Sequence, residues 1–425
     1  MTTASMREGQ FKLNRFELTT STGRVIHLGP YCSRADIYEN ILEPTTIAEF
    51  IIADRVGLFA HFNFLDQKIN IEYTTYEDNA EAAVKYEFYP VEQNPSTVLP
   101  DDKGVVFTLV CVSKEAIKSA QIRNAPYVKS KIECETAIRE HLNILNTDKQ
   151  LFFEKTQGLH AFNFTGLNPF VAIDKIRLKA MSSTYKGHCF TFFENSKGYH
   201  FKSFEALIKE GKSKIGDKYF VQMPVGEADV TASKWRNILA CKVVESGGQA
   251  AARAAGAGKV LIKRKNIITG EIEDVEIDSS KLDFVTLNDG SVTLSSKSQK
   301  ELSQDETKLV MTYYDPTVEE SDSANADAVR PYYMAHLLNT IAHITIYGDS
   351  TITIGDVITA DIPIHDGLTP GEDNAYKQSS KTLAGNYLVT SCRHILNFNE
   401  SAQYLQALEI VKDGMYGELP TSKLK

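Results

Sequence analysis

Cys392 and His394 stand two positions apart in the apolar stretch GNYLVTSCRHIL at 385–396, and they are the first residues in this chain to suggest chemistry. A thiol beside an imidazole is the pairing of a thiol hydrolase, because the base draws off the proton and leaves a nucleophilic thiolate. The competing reading is a strand. On a strand Leu388, Thr390, Cys392, His394, Leu396 and Phe398 share one face, and Tyr387, Val389, Ser391, Arg393 and Ile395 share the other. Alternate residues then lie about 6.6 Å apart at ~3.3 Å per residue, beyond the roughly 2.6–3.2 Å over which a base takes a proton. A cysteine among apolar neighbours is as a rule an inert small hydrophobe. The packed strand is therefore expected, with Cys392 and His394 kept as the residues of an alternative all-β hydrolase.

Other motifs are weaker. The triplet GDS at 348–350 matches the nucleophile triplet of one esterase family, which makes Ser350 a second alternative nucleophile, but Gly and Asp between two apolar runs are ordinary turn residues. GGQ at 247–249 is similar to the peptide-release loop of termination factors and nothing else of them accompanies it. GAGK at 256–259 lacks the earlier glycine of a phosphate-binding loop, since Arg253 stands there, and Val260 replaces the metal-binding hydroxyl. The ten histidines contain no HExxH; His336 and His343 are seven apart, and His188 and His200 flank an aromatic hairpin. Cys32, Cys111, Cys134, Cys189, Cys241 and Cys392 include no close pair, against both a disulfide framework and a zinc site. No catalytic residue, metal or cofactor is expected.

The elements around these residues divide the chain. At 425 residues, two to four domains are expected. Residues 11–112 read as strands: FKLNRFELTT and RVIHL about the turn STG, then TIAEFIIAD, QKINIEYTT, VKYEFY and GVVFTLVCV. Ile69, Ile71 and Tyr73 alternate with Lys68, Asn70 and Glu72, the period of a half-buried strand. From Ser113 to Leu145 the signal is helical, with Ile138, Leu142 and Leu145 on one face. Asn168 and Pro169 mark a helix start, and Phe170, Ile173 and Ile176 follow on one face. HCFTFFENSKGYHFKSF predicts an aromatic hairpin turning between Glu194 and Gly198, with Ser203 capping a helix through Leu207.

Strands resume at Lys218, interrupted by the Ala/Gly-rich ESGGQAAARAAGAG and the polar SSKSQKELSQDE and DPTVEESDSANADA, which read as linkers or a mobile insert. YYMAHLLNTIAHI predicts a helix. TITIGDVITADIPI, GNYLVTSCRHILNF and YLQALEIV then predict a four-strand antiparallel meander. The opening MTTASMREGQFKLNRF has no apolar segment of the kind that directs secretion, and no later run reaches membrane-spanning length, so folding in a reducing cytoplasm without membrane insertion is expected. A net charge of −9 speaks against a surface that neutralises nucleic-acid phosphates.

TITIGDVITADIPI with GNYLVTSCRHIL and YLQALEIVKD resembles the closing strands of the baseplate hub proteins of contractile-tailed bacteriophages, which are related to type VI secretion spike bases. NPFVAIDKIRLKA with GHCFTFFENSKGYHFKSFEALI resembles the helix and hairpin that such hubs carry between their barrels. The resemblance spans most of residues 10–412, and no single residue is diagnostic. It implies an α+β, mainly β fold with two tail-tube-like antiparallel β-barrels at 10–115 and 216–412. Between them lie a helical connector at 116–150 and an α/β unit at 151–215; segments inserted at about 246–328 and tails at 1–9 and 413–425 complete the chain.

It also implies a non-enzymatic homotrimer, assembled in the host cytoplasm and carried in the virion, that adapts a threefold central spike to a sixfold tail tube. The implied partners are tail tube, spike and baseplate wedge proteins and the tape measure protein, with genomic DNA passing through unbound, past a wall that tolerates acidity. Lys68, Asn70, Glu72, Asp356 and Asp361 are candidates for the channel wall or for an ordinary solvated face. A distal tail protein would share the barrel and differ in stoichiometry and partners.

Overall fold

A computed structural model describes residues 9–413 except 56, 58, 60–62, 65–66, 76–82, 95–96, 99–103, 125–126, 186, 216–218, 222–235, 246–258, 279–284, 289–307, 315–329, 331–332, 335–336, 339, 363–382 and 399–401. The first block alternates as its sequence predicts. Its strands are β1 (Lys12–Thr19), β2 (Val25–His27), β3 (Cys32–Asn40), β4 (Ile47–Asp54), β5 (Lys68–Thr74), β6 (Val84–Gln93), β7 (Thr97–Val98) and β8 (Val105–Val112). They lie in the order β2-β1-β5-β6-β8-β4-β3, with β7 on β8. Ile69, Ile71 and Tyr73 enter a core with Phe16, Phe50, Phe88 and Leu109. Lys68, Asn70 and Glu72 stay on the half-exposed face.

Strand β3 has no counterpart in the sequence reading. CSRADIYEN carries Arg34, Asp36 and Glu39, which break the apolar alternation, yet Asp36 and Glu39 are buried. The reason is position: β3 lies between β4 and a strand from the far end of the chain.

The middle of the chain holds α1 (Lys114–Gln121), β9 (Val128–Ile132), α2 (Cys134–Leu145), β10 (Leu151–Phe153), β11 (His160–Asn163), α3 (Pro169–Arg177), β12 (Phe190–Asn195), β13 (Gly198–Ser203) and α4 (Phe204–Lys212). Both expected caps form: Asn168 Oδ1 accepts from Val171 N at 2.8 Å and Ser203 Oγ from Ala206 N at 3.1 Å. The hairpin β12–β13 turns over two residues, with Asn195 opposite Gly198. Gly198 has φ +142°, and a Cβ there would strike the Gln150 carbonyl.

Ile138, Leu142, Leu145, Ile173 and Ile176 pack with Phe192 and Phe201 in a second core. His141 is sealed in it, its ring 4.7 Å from that of Tyr127, and neither ring nitrogen has a hydrogen-bond partner among the described residues. Burial lowers its pKa from 6.5 to about 4, so the folded protein holds it neutral while the unfolded chain takes up a proton. The unfolded state binds more protons across that range, and stability therefore falls with pH between 6.5 and about 4. His141→Leu should flatten this acid arm, read as a smaller drop in thermal midpoint than the parent shows over the same window; an unchanged pH profile would exclude His141 as its source.

The last block contains β14 (Tyr219–Val221), β15 (Asn237–Glu245), β16 (Lys259–Asn266), β17 (Ile272–Asp278), β18 (Lys308–Tyr314), β19 (Thr340–Tyr347), β20 (Val357–Asp361), β21 (Gly385–Asn397) and β22 (Gln403–Lys412). Within the span expected as an insert, β17-β16-β18 form a separate sheet. The Ala/Gly-rich stretch 246–258 and the polar stretches 295–306 and 315–328 lie outside the described residues.

Two expectations are corrected. The run predicted as a helix is helical only in its first part; Thr340–Tyr347 is a strand, with Thr340, Ala342, Ile344 and Ile346 facing inward in alternation. Of the closing meander, β20, β21 and β22 form as expected, antiparallel and in chain order; its first strand does not, since residues 351–356 form turns, and β19 takes the place beside β22. The pairings continue from β19 to β15, from β15 to β14 and from β14 back to β20, a closed cycle of six strands.

Strand β21 joins the two blocks. Its first residues, 385–388, pair with β20, and residues 391–397 pair with β3, while β22 runs along its other edge. A bulge at Thr390, where β21 passes from Val389 to Ser391 while β22 moves only from Ile410 to Glu409, lets one strand serve both. Leu388, Val389 and Cys392 therefore belong to the core of the last block, and Leu396 to the core of the first. The fold is α+β and mainly β.

Candidate functional site

Cys392 and His394 lie on β21 at this junction, and register assembles the rest of the site. Cys392 is directly opposite Glu39 on β3, so both point to one side of the sheet. On the other edge, His394 faces Gln406 of β22, and Tyr404 is opposite Leu396. Tyr73 of β5, Tyr86 of β6 and Thr353 of the turn before β20 close over them. Cys392 Sγ is 3.4 Å from His394 Nε2. The ~6.6 Å expectation fails because it measures backbone spacing, whereas both side chains lean toward each other in the core.

Glu39 Oε2 lies 3.5 Å from the same Nε2, and Tyr404 Oη lies 2.7 Å from His394 Nδ1. The carboxylate also accepts from Tyr86 Oη at 2.8 Å, Thr353 Oγ1 at 3.0 Å and Ser196 N at 3.0 Å. Burial by itself would push the Glu39 carboxyl up, but its hydrogen bonds and the charge of His394 outweigh that and hold it below the usual range. Burial opposes the imidazolium as well; contacts with Cys392, Tyr73 and Glu39 keep His394 well above its ordinary value. Burial pushes the Cys392 thiol up. Without a metal ion this is a His394 imidazolium and Glu39 carboxylate pair beside a protonated thiol.

That geometry differs from a nucleophile relay. In such a relay the base meets the nucleophile through one ring nitrogen and the orienting carboxylate through the other. Here Sγ and the carboxylate crowd a single nitrogen, and Cys392 is buried. Ser350 fares no better, since its hydroxyl meets another hydroxyl, Thr75 Oγ1, at 2.6 Å. The GDS triplet is a turn: Asp349 binds Arg236 at 2.8 Å, and a side chain at Gly348 would overlap the Tyr404 ring.

Among the described residues, Glu39, Cys392 and His394 form the group whose donor types and spacing could hold a metal ion, with all three ligand atoms within 4.8 Å of one another. Sequence spacing pointed to no such constellation. It was hidden because Glu39 comes from the strand that sequence reasoning missed; its one signal is an acid among apolar neighbours in ADIYEN.

The channel-wall candidates are dispersed. Lys68 pairs with Glu87 at 2.9 Å and Glu72 with Lys85 at 3.5 Å, while Asn70 lines a cleft of about 300 Å³ with Lys85, Glu87, Lys149, Glu194 and Lys197. Asp356 accepts from Thr353 N at 3.0 Å inside a turn, and burial raises its pKa. Asp361 ends β20, in register with Phe220. His343 is exposed beside Glu409 and His336 lies outside the described residues. His200 stacks between Phe152 and Phe193, with centroids 4.6 and 4.9 Å away.

No family model and no curated protein matches the chain. Solved structures do, at low identity. The chain is similar to a tail protein from Neisseria meningitidis, with a TM-score of 0.57 and 8% identity over 96% of this chain and 98% of that one. It is similar to a 43 kDa prophage tail protein from Shewanella oneidensis, with a TM-score of 0.53 and 9% identity over 94% and 98%. A prophage tail protein from Listeria monocytogenes gives a TM-score of 0.50 and 8% identity over 94% and 95%. At such identity the likeness is one of fold, and it runs nearly end to end in both partners.

Proposed function

We propose that this protein is a structural component of a phage-type tail, the hub of its baseplate. The observation that carries the reading is the end-to-end likeness in fold to three tail proteins, with 94–96% of this chain matched. The closed cycle of six strands in the last block supports a tube-like barrel at 216–412, and the sheet of the first block supports a second at 10–115. Three chains with two such barrels each supply six similar units, the arithmetic needed to seat a threefold spike on a sixfold tube.

In this reading the ring binds tail tube protein on one face and spike protein on the other, with wedge and tape measure proteins as further neighbours. DNA passes through the lumen without specific contacts, past a wall that includes Lys68, Asn70, Glu72 and Asp361. The protein resides in the virion after assembly in the host cytoplasm. The role is mechanical and non-enzymatic; the burial of Cys392 and the hydrogen bond that joins the Ser350 hydroxyl to that of Thr75 support this over a hydrolase.

Native mass spectrometry and particle imaging of the chain with its tube and spike partners test it. A closed trimer with a central channel and pseudo-sixfold barrels is expected. One copy per particle, outside any ring, would overturn the reading.

A further inference from the structure

We propose that Glu39, Cys392 and His394 are ligands of a structural zinc ion that ties the two blocks together. The donor set is a thiolate, an imidazole and a carboxylate, the combination that selects zinc over magnesium or calcium. Distances agree. With bonds of ~2.3 Å to sulfur and ~2.0–2.1 Å to nitrogen and oxygen, a tetrahedral ion sets its ligand atoms about 3.3–3.6 Å apart. Sγ to Nε2 is 3.4 Å and Nε2 to Oε2 is 3.5 Å.

The hydrogen bonding points the same way. Nε2 has three polar neighbours at nearly equal range: Sγ at 3.4 Å, Oε2 at 3.5 Å and Tyr86 Oη at 3.5 Å. A single N–H cannot serve three partners, and all three distances are long for a hydrogen bond. An ion among Sγ, Nε2 and Oε2 serves all three, with the Tyr86 hydroxyl beside them, donating to Oε1 at 2.8 Å.

The surroundings are those of a supported metal centre. Tyr404 Oη, 2.7 Å from Nδ1, fixes the ring so that Nε2 points at the ion. Thr353 Oγ1 and Ser196 N hold the carboxylate, and the Gln406 amide lies 3.7 Å from the sulfur. Binding displaces the thiol proton, and the imidazole coordinates through a bare Nε2 while Nδ1–H remains directed at Tyr404. A divalent ion with one thiolate, one carboxylate and a neutral imidazole carries no net charge, which suits a fully buried site. With no face open to solvent, the ion is structural and enters as the chain folds.

The test uses the full chain, purified without an affinity metal. Elemental analysis should find one zinc per chain, and prolonged chelation should lower the thermal midpoint, with zinc restoring it. Cobalt in place of zinc should show a thiolate-to-metal charge-transfer band. Cys392→Ser should lose that band and weaken zinc binding by more than the ~10–100-fold expected of a lost supporting contact. Folded parent chain that contains no zinc, does not respond to added zinc and gives no cobalt band would overturn the proposal, as would Cys392→Ser retaining full zinc affinity. The parent measurements decide the matter even if the variant does not fold, and none of them depends on assembly into a tail.

Discussion

In chelator, Glu39→Leu lowers the unfolding free energy by ~3–5 kcal/mol, the cost of stranding one member of a buried ion pair. The substitution leaves the His394 imidazolium without a counter-charge and removes the acceptor for Tyr86, Thr353 and Ser196 together. Burial then drives His394 neutral, so part of the loss appears as a proton released in the folded state. The double variant Glu39→Leu/His394→Leu should cost well below the sum of the two single changes, because two apolar side chains leave neither charge exposed to the core. Urea midpoints with unchanged slopes measure all three. Strict additivity would mean that Glu39 and His394 do not act as a pair.

Lys149→Met is the second large effect, about 3–5 kcal/mol by the same reasoning. Lys149 Nζ lies 2.6 Å from Glu115 Oε2 of α1 and 2.6 Å from Glu194 Oε1 of β12, and both carboxylates are buried. Burial opposes the ammonium, yet the two acids outweigh it and raise the Lys149 pKa. One cation cannot neutralise two anions, so Glu194 remains raised, first by burial and also by Glu115. In the variant both acids lose their counter-charge. A carboxylate whose folded pKa lies above its unfolded value loses stability as pH rises, so the variant's deficit should shrink as pH falls toward the carboxylate range. A deficit that grows in acid would place the effect elsewhere. Because Glu194 Oε2 also accepts from Thr46 N at 3.3 Å, the lysine ties the helical connector, the hairpin and the first block at one point.

Local order was largely legible in the sequence. Six of the eight strands of the first block follow from alternation, and the caps at Asn168 and Ser203 follow from side chains that compete for helix N–H groups. What escaped depends on distant partners. β3 carries charges that look like a loop until β4 and β21 enclose it, and β19 hides behind the helical spacing of the residues before it. The same limit applied to the site. Cys392 and His394 were visible as a pair, but their convergence, and the arrival of Glu39 and three tyrosines, depends on cross-strand register that no short window contains.

The shared strand β21 also sets a timetable. Asn40 and its partner Ser391 are 351 residues apart, so the ladder that completes the edge of β3 forms only after nearly the whole chain exists. At ribosomal speeds of ~5–20 residues per second the nascent first block waits roughly 20–70 s with that edge open. The last strand but one seals the first sheet, and a polypeptide released early, short of Asn397, leaves the ribosome with an unpaired edge that can join another nascent chain.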